Sequence, residues 1–510
     1  MTQKPTADGV PFPDDNVVPL HPKDQDRPSS EERPDAVVLE HSTDTGNARR
    51  MVALYHDKIR YCPPQKCWYV WDGRIWARDE SLEIRRIAKA TVLTMHKEAL
   101  LIKDDERRKT RIGHCLSSEG TSRLRAMVEN AQSELVIEPQ ALNADPMLLC
   151  VENGTLDLRT GKRRAHRSSD FITLMAPVVF DREARDPRWE EVLDRFVRPD
   201  DGKEAFLQRA AYASITGTTS DKAFINLFDD NDGDTGKTTF TESLMMALGP
   251  YATVVNADAF LLKPNGSAGI RSDIASLAGK RMAVSSEIPA GRKLDVALMK
   301  KLTQGGGKMQ FERKYENPWE GAITFTIWLD GNTVAKAPAE DHPLFNRWRL
   351  TPFKHKIADR PDPKWLDRVR ESAEYRAAVL AWVMRARQDW LRSGIGTTKS
   401  VEAAVAQVKE TMDPLTGFWE ECCRFGPGLW ASNDELRNAY AEWVAQTGKS
   451  HEINDQDFRA LLKGRGATSA GPKRVGGTLK RGWDGVAASP RPAEMSGDEP
   501  VRSGPRVRWP

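Results

Sequence analysis

The sequence predicts a multidomain α/β protein with a parallel sheet at its centre, and three observations predict it. Short apolar runs at 223–228 (AFINLF), 281–285 (RMAVS) and 322–329 (AITFTIWL) read as buried strands separated by helical patterns. The 510 residues suffice for roughly two to four domains of ordinary size. At 39% hydrophobic and 29% charged residues, the chain can bury sizeable cores and still present a polar surface.

The totals also exclude several classes. Lys and Arg number 76 against 73 Asp and Glu, a net charge of +3, which rules out a uniformly basic nucleic-acid binder but leaves local basic patches open. No run of about 18 apolar residues marks a membrane-spanning helix, so no membrane partner is expected. The N-terminal MTQKPTADGVPFPDDN lacks the charged-then-apolar order of a signal peptide. Six cysteines in this length cannot form a disulfide framework, and a reducing cytoplasm is the expected location. Cys62 with Cys67, and Cys422 with Cys423, lack zinc-ligand spacing and read as ordinary thiols.

Taken in order, residues 1–46 hold 7 prolines, 10 acids and 4 bases, and are expected to be a disordered acidic tail. An N-terminal α+β domain is expected over 47–185. Within it, Lys66–Asp79 (KCWYVWDGRIWARD) reads as a hairpin turning at Asp72-Gly73. Its Trp68, Trp71 and Trp76 suit either a base-stacking platform or, the plainer choice, a hairpin packed on helices. Residues 80–104 and 121–132 carry helical spacing, and a second hairpin is expected at Gly154–Arg167 around Thr160-Gly161. Helix–strand alternation over 186–356 predicts the central α/β domain. Residues 357–415 read as a helical subdomain, 416–488 as a small C-terminal module, and 489–510 as a second disordered tail. There are no internal repeats.

The most informative motif is NDGDTGKT at Asn231–Thr238, placed directly after the strand 223–228 and before the helical TTFTESLMMALG. A tight loop between strand and helix turns its backbone N–H groups and the positive helix end toward an anion, which is what a phosphate-binding P-loop requires. The predicted nucleotide contacts are Asn231, Asp232, Gly233, Asp234, Thr235, Gly236, Lys237, Thr238 and Thr239. Lys237 reaches the β/γ-phosphates and the Thr238 hydroxyl ligates Mg²⁺, so ATP and Mg²⁺ are the expected cofactors. Asn231 stands where a glycine is usual; Asn tolerates left-handed backbone better than most residues. The bland alternative, a surface turn capping a helix, does not explain a lysine and a hydroxyl after Gly236.

An NTPase also needs an acid near the metal and a group that senses the γ-phosphate. The strand RMAVSS ends in Glu287, which can bind metal-coordinated water or orient the attacking water. The strand at 322–329 ends in Asp330-Gly331-Asn332, placing the Asn332 amide near the γ-phosphate. Further on, NRWRLTPF offers Arg347 as an arginine acting in trans on a neighbouring subunit's nucleotide. In isolation, Glu287 would be a solvated strand end and each arginine a surface ion pair; their order argues for a ring-forming ATPase.

That order, Lys237-Thr238, Glu287, a basic segment, Asn332 and Arg347, resembles the superfamily 3 helicases, most closely the helicase portion of the phage/plasmid primase–helicase family that includes poxvirus replication proteins. The resemblance covers roughly 47–490 and rests on Asn153–Gly161 (NGTLDLRTG), Ser286–Asp295 (SEIPAGRKLD), Lys301-Leu302-Thr303, Phe325–Asn332 (FTIWLDGN) and Arg347–Phe353 (RWRLTPF). It implies an AAA+-like core in an ATP-driven ring, commonly a hexamer, that translocates on single-stranded DNA and opens forked duplexes during phage or plasmid replication in a bacterial host cell. It further implies Glu287 as catalytic acid, Asn332 as sensor and Arg347 as finger, with Arg349 as second choice. Relatives often carry a primase domain; the 46 residues before this region are too few for one, so no primer synthesis is expected from this chain alone, and a separate primase or other replication protein is a natural partner.

Between Glu287 and Asn332 the family places a DNA-contacting hairpin. Here that stretch is Lys300–Lys314 (KKLTQGGGKMQFERK), offering Lys300, Lys301, Lys308, Arg313 and Lys314 to phosphates, with Gly305–Gly307 as the expected mobile tip. A solvated flexible turn is the alternative for any one lysine, and Gln304 and Gly306 depart from the family pattern. The C-terminal module fits a winged helix: helices at Asn433–Thr447 and Asn454–Lys463, then a basic wing (GPKRVGGTLKRGW) with Lys473, Arg474, Lys480 and Arg481. Seven Lys/Arg and no acid lie between Phe458 and Trp483, a pattern suited to phosphate backbones, although winged helices also dock proteins. A rival class is a replication initiator that uses nucleotide as an assembly switch without unwinding.

Overall fold

The computed structural model describes residues 41–229, 233–263, 271–289, 291–312, 318–356, 364–413, 415–447, 453 and 455–488. The chain divides into two compact units, one of residues 1–54 with 87–131 and one of 55–86 with 132–510. The first unit is helical: α1 (Asp44–Tyr55), most of α2 (Glu83–Leu100), α3 (Asp105–Ser118) and α4 (Thr121–Gln132). Sequence periodicity missed α3 because only Cys115 and Ser118 of its residues are buried; its start is fixed by Asp104, which accepts a hydrogen bond from the Arg107 N–H. The unit's core holds a polar knot. Asn47 donates to Ser118 Oγ at 3.0 Å and pairs with His114 Nε2 at 2.9 Å.

The second unit starts with an antiparallel sheet of β1 (Ile59–Cys62), β2 (Cys67–Trp71) and β3 (Trp76–Arg78). Trp76 is fully buried and stacks on Phe171 at 5.4 Å, and Trp68 is buried beside Tyr61. These rings are therefore core residues, and no exposed three-tryptophan stacking platform forms. A second small sheet follows, of β4 (Leu148–Val151), β5 (Gly154–Asp157) and β6 (Lys162–Arg164).

Two helices, α5 (Pro187–Phe196) and α6 (Lys203–Thr216), lead into the central layer. Its elements in order are β7 (Phe224–Phe228), α7 (Lys237–Leu248), β8 (Ala252–Val254), α8 (Ser272–Ala275), β9 (Met282–Ser286), α9 (Val296–Leu302), β10 (Lys308–Phe311), β11 (Trp319–Ala322), β12 (Thr326–Gly331), α10 (His342–Phe345) and β13 (Trp348–Pro352). Five of these strands form one parallel sheet in the order β13-β7-β12-β9-β8. Strands β7 and β12 sit inside the sheet, so both faces are covered and their sequences are apolar runs. The edge strands β8 and β13 are shorter or more polar, which is why no apolar run announced them. Helix α7 packs against the sheet through Phe240 and Leu244, and Trp189, Phe240 and Trp382 meet edge-on or stacked within about 6 Å of one another.

The expected strand at 322–329 is displaced to β12, because Trp319–Ala322 instead pairs with β10 in a separate two-stranded hairpin. This hairpin also relocates the three glycines. Gly307 accepts the Ile323 N–H, so Gly305–Gly307 lie at the hairpin's base and not at its tip. Arg313 and Lys314, both predicted DNA contacts, lie outside the described residues.

Helices α11 (Trp365–Arg370), α12 (Ala373–Arg385), α13 (Arg387–Ser393) and α14 (Lys399–Met412) follow the sheet. The C-terminal module comprises α15 (Thr416–Cys422), β14 (Cys423–Ser432), α16 (Asn433–Thr447), α17 (Asp455–Gly464), β15 (Thr468–Val475) and β16 (Thr478–Ala488), with antiparallel strand order β14-β16-β15. Ser432 and Glu435 cap α16 reciprocally, each side chain accepting the other's backbone N–H. Phe458, Leu461 and Leu462 of α17 present an i, i+3, i+4 stripe to a core that includes Phe418, Trp419, Trp443 and Trp483. Among the described residues no helix is long and apolar enough to cross a membrane.

Candidate functional site

The C-terminal ends of β7, β9 and β12 bring the site together. After β7 the chain returns at Gly233 and enters α7 at Lys237; Asn231 and Asp232, both predicted contacts, lie outside the described residues. Gly233, Asp234 and Gly236 all have left-handed backbone, with φ of 97°, 58° and 79°. Runs of this kind turn successive N–H groups inward and form an anion-binding concavity. Gly236 is required twice over. Its φ favours glycine, and a Cβ there would stand 2.3 Å from the Phe196 ring.

Lys237, nearly buried, spends its ammonium on three acceptors: the Asp229 carboxylate, Thr235 Oγ1 at 3.2 Å and Asn332 Oδ1 at 3.0 Å. Thr235 in turn donates to Asp229 Oδ2 at 2.7 Å. Lys237 and Asn332 are 95 residues apart in sequence, and β12 pairing directly beside β7 makes them neighbours. Thr238 is exposed at the first turn of α7, and Thr239 is half-buried.

Asp330, the penultimate residue of β12, is buried beneath this group and accepts from Thr241 Oγ1 at 3.2 Å. Burial pushes its carboxyl above the usual carboxylate range, against the opposing pull of the Lys237 charge and the hydroxyls of Thr241 and Thr238. Glu287 follows β9 with an exposed side chain and a φ of 58°. A left-handed glutamate is strained, and it is held here by its N–H bond to the Asp330 carbonyl at 3.0 Å. Asp229, Asp330 and Thr241 were not assigned site roles from sequence. The signal for the first was an acid closing the apolar run FINLF; Asp330 stood in plain view beside Asn332.

Arg347 and Arg349 are not brought to this cluster. The Arg347 carbonyl accepts the Phe224 N–H at 2.9 Å, which sets it at the beginning of β7, five residues or roughly 16 Å from Asp229 along the strand. Its Nη1 donates to the Pro343 carbonyl at 2.8 Å, and its buried Nε has no partner among the described residues. Arg349 donates to the carbonyls of Gly396 and Asn346.

The basic candidates divide. Lys300 is tied to Asp341 at 2.8 Å, Lys308 pairs across the hairpin with Glu320 at 3.2 Å, and Lys473 pairs with Asp484 at 2.7 Å. Lys301, Arg474 and Arg481 are exposed, and Lys480 is half-buried. On the β15–β16 hairpin, Lys473 faces Lys480 and Arg474 faces Leu479, so cations occupy both faces.

The residues present fit a bound nucleoside triphosphate with Mg²⁺: a left-handed nest, a lysine at the helix start, and the Thr238 hydroxyl beside the Asp330 carboxyl. Among the described residues no three His, Cys, Asp or Glu side chains converge on a metal site.

Residues 48–198 match the family described as D5 N terminal like. Over 274 residues, 49% of the chain, the sequence is 24% identical to 022R of Frog virus 3 (isolate Goorha), a protein provisionally named a helicase; the match spans 27% of that relative's length. Two solved structures of the NrS-1 C terminal region, both apo A forms, superimpose with TM-scores of 0.41 and 0.43 at 9% and 10% identity. Each covers 84% of this chain and 95–96% of its own.

Proposed function

We propose that this chain is a DNA-dependent ATPase that works as a helicase or translocase in phage- or plasmid-type replication, with a P-loop core and a C-terminal winged helix. The observation that carries the proposal is the meeting of Lys237 and Asn332 at 3.0 Å over the C-terminal ends of adjacent parallel strands. Ligand sites of open parallel sheets form at that end. The family match over 48–198 and the likeness to a provisionally named helicase support a replication role.

In this reading the nest at 233–236 and Lys237 hold the β- and γ-phosphates. Asn332 lies where its amide touches the γ-phosphate or the attacking water, and the exposed Glu287 carboxylate orients that water and takes up its proton. Thr238 and Asp330 are the residues that would hold Mg²⁺, which when bound would supply charge neutralisation on the phosphates. Arg347, half-buried and with no carboxylate partner among the described residues, is suited to a neighbouring subunit's nucleotide in a ring. Lys301, Arg474, Lys480 and Arg481 are the best-placed DNA contacts.

The test is DNA-stimulated ATP hydrolysis together with strand displacement on a forked duplex. Lys237→Ala is expected to lower ATP turnover by about a hundredfold or more. Hydrolysis at the wild-type rate in that variant overturns the site. Hydrolysis without strand displacement by the wild type would instead support the nucleotide-switched initiator.

A further inference from the structure

We infer that Asp229 is the resident counter-ion of Lys237, a positioning residue that holds the ammonium in the loop between turnovers and weakens the grip on nucleotide; this rests on the nucleotide site proposed above. Asp229 directly follows β7 and its side chain is inaccessible to solvent. One carboxylate oxygen, Oδ2, receives hydrogen bonds from both Lys237 and Thr235, while Oδ1 is buried with no partner among the described residues. A phosphate-loop lysine needs no such acid to fold. Here the acid is present, and it is the least solvated member of the cluster.

The exchange of partners follows from the inventory of donors. A lysine has three N–H hydrogens, and all three already go to protein acceptors. A phosphate oxygen entering the loop must take one of them. Asn332 is neutral and exposed, so water can replace Lys237 as its partner. Asp229 cannot be abandoned in the same way, because a buried carboxylate stripped of its counter-ion is strongly disfavoured. Lys237 therefore keeps Asp229 and releases Asn332 to the phosphate. The triphosphate then meets a lysine whose charge is already largely offset, and product leaves without stranding a bare buried ammonium.

The experiment is thermal unfolding of the full chain with and without Mg²⁺-ADP, with ATP hydrolysis measured alongside. Asp229→Asn keeps the shape and removes the charge. It is expected to melt below the wild type alone, to gain a larger shift from ADP, and to bind ADP about tenfold more tightly. KM and kcat for ATP should fall together, because release slows. A merely structural pair predicts a lower melting point with an equal or smaller ADP shift, and that result overturns the inference while leaving the site intact. If the wild type itself shows no shift with ADP or ATP, the nucleotide reading fails first. Should the Asn variant not fold, Asp229→Ser removes the same charge in a smaller side chain and carries the same expectation.

Discussion

The two ends of the central sheet solve the same problem in opposite ways. At the C-terminal end, the buried cation Lys237 meets a buried carboxylate and two neutral side chains. At the N-terminal end, Arg281 lies buried just before β9 and donates to the backbone carbonyls of Pro146 and Leu148, while Arg347 and Arg349 likewise bond to carbonyls at the start of β13. Backbone carbonyls are fixed by the fold, so the arginines they hold are fixed too. Side-chain partners can be exchanged for a ligand. The sheet thus has one end built for exchange and one built for holding, and the proposed nucleotide site lies at the first.

The largest expected effect sharpens that difference. Arg347→Ala should lower ATP turnover about a thousandfold if the guanidinium acts on a neighbour's nucleotide. Mixing it with Lys237→Ala protein should restore part of the activity, because a mixed ring contains interfaces with both residues. No recovery would confine Arg347 to holding its own chain together.

Gly236→Ala should come next. It forces a Cβ into the Phe196 ring at a left-handed position, and a stability loss on the order of 3 kcal/mol is expected in urea unfolding. An unchanged midpoint would mean the loop relaxes freely and the nest is not rigid.

Arg281→Met tests the holding end. Burial pulls this guanidinium below its ordinary range, yet it remains the donor for two otherwise distant carbonyls. Its removal should cost about 2 kcal/mol of stability and leave the ADP affinity unchanged. A change in ADP affinity would show that the two ends are coupled.

Asp330→Asn gives the smallest effect on stability, and that effect varies with pH. The folded carboxyl titrates above the unfolded value of about 4, so the native state binds the extra proton. That contribution is fully present below the unfolded value and is lost as pH rises through the folded one. Relative to the wild type, the Asn variant should therefore gain stability between acidic and neutral pH. A constant difference in unfolding free energy at pH 4 and pH 7.5 would remove Asp330 from the buried polar cluster.

Much of this was legible in residue order. FINLF, then a glycine-rich loop, then KTTFTESLMMAL, specifies strand, turn and helix by local rules alone, and the capped helix at Asn433–Thr447 is equally local. The edge strands β8 and β13 were not legible, because a short or half-polar strand has no pattern of its own until a neighbour pairs with it. Gly305–Gly307 resembled a tip and became a base because the pairing of Lys308 with Ala322 sets the hairpin's register, a contact between residues 14 apart.

The sequence by itself determined the ingredients: a tight loop ahead of a helix, an acid and an amide closing two apolar strands, and a basic strip near the C-terminus. Only the tertiary structure decided which of them meet. Parallel pairing of β12 beside β7 puts Asn332 on Lys237, the pairing of β13 along the other side of β7 sets Arg347 at the opposite end, and burial turns Asp229 from one acid among many into the lysine's partner. Local propensity acts over a few residues, whereas a charged group's partner is chosen by which strand ends the folded sheet brings within about 3 Å.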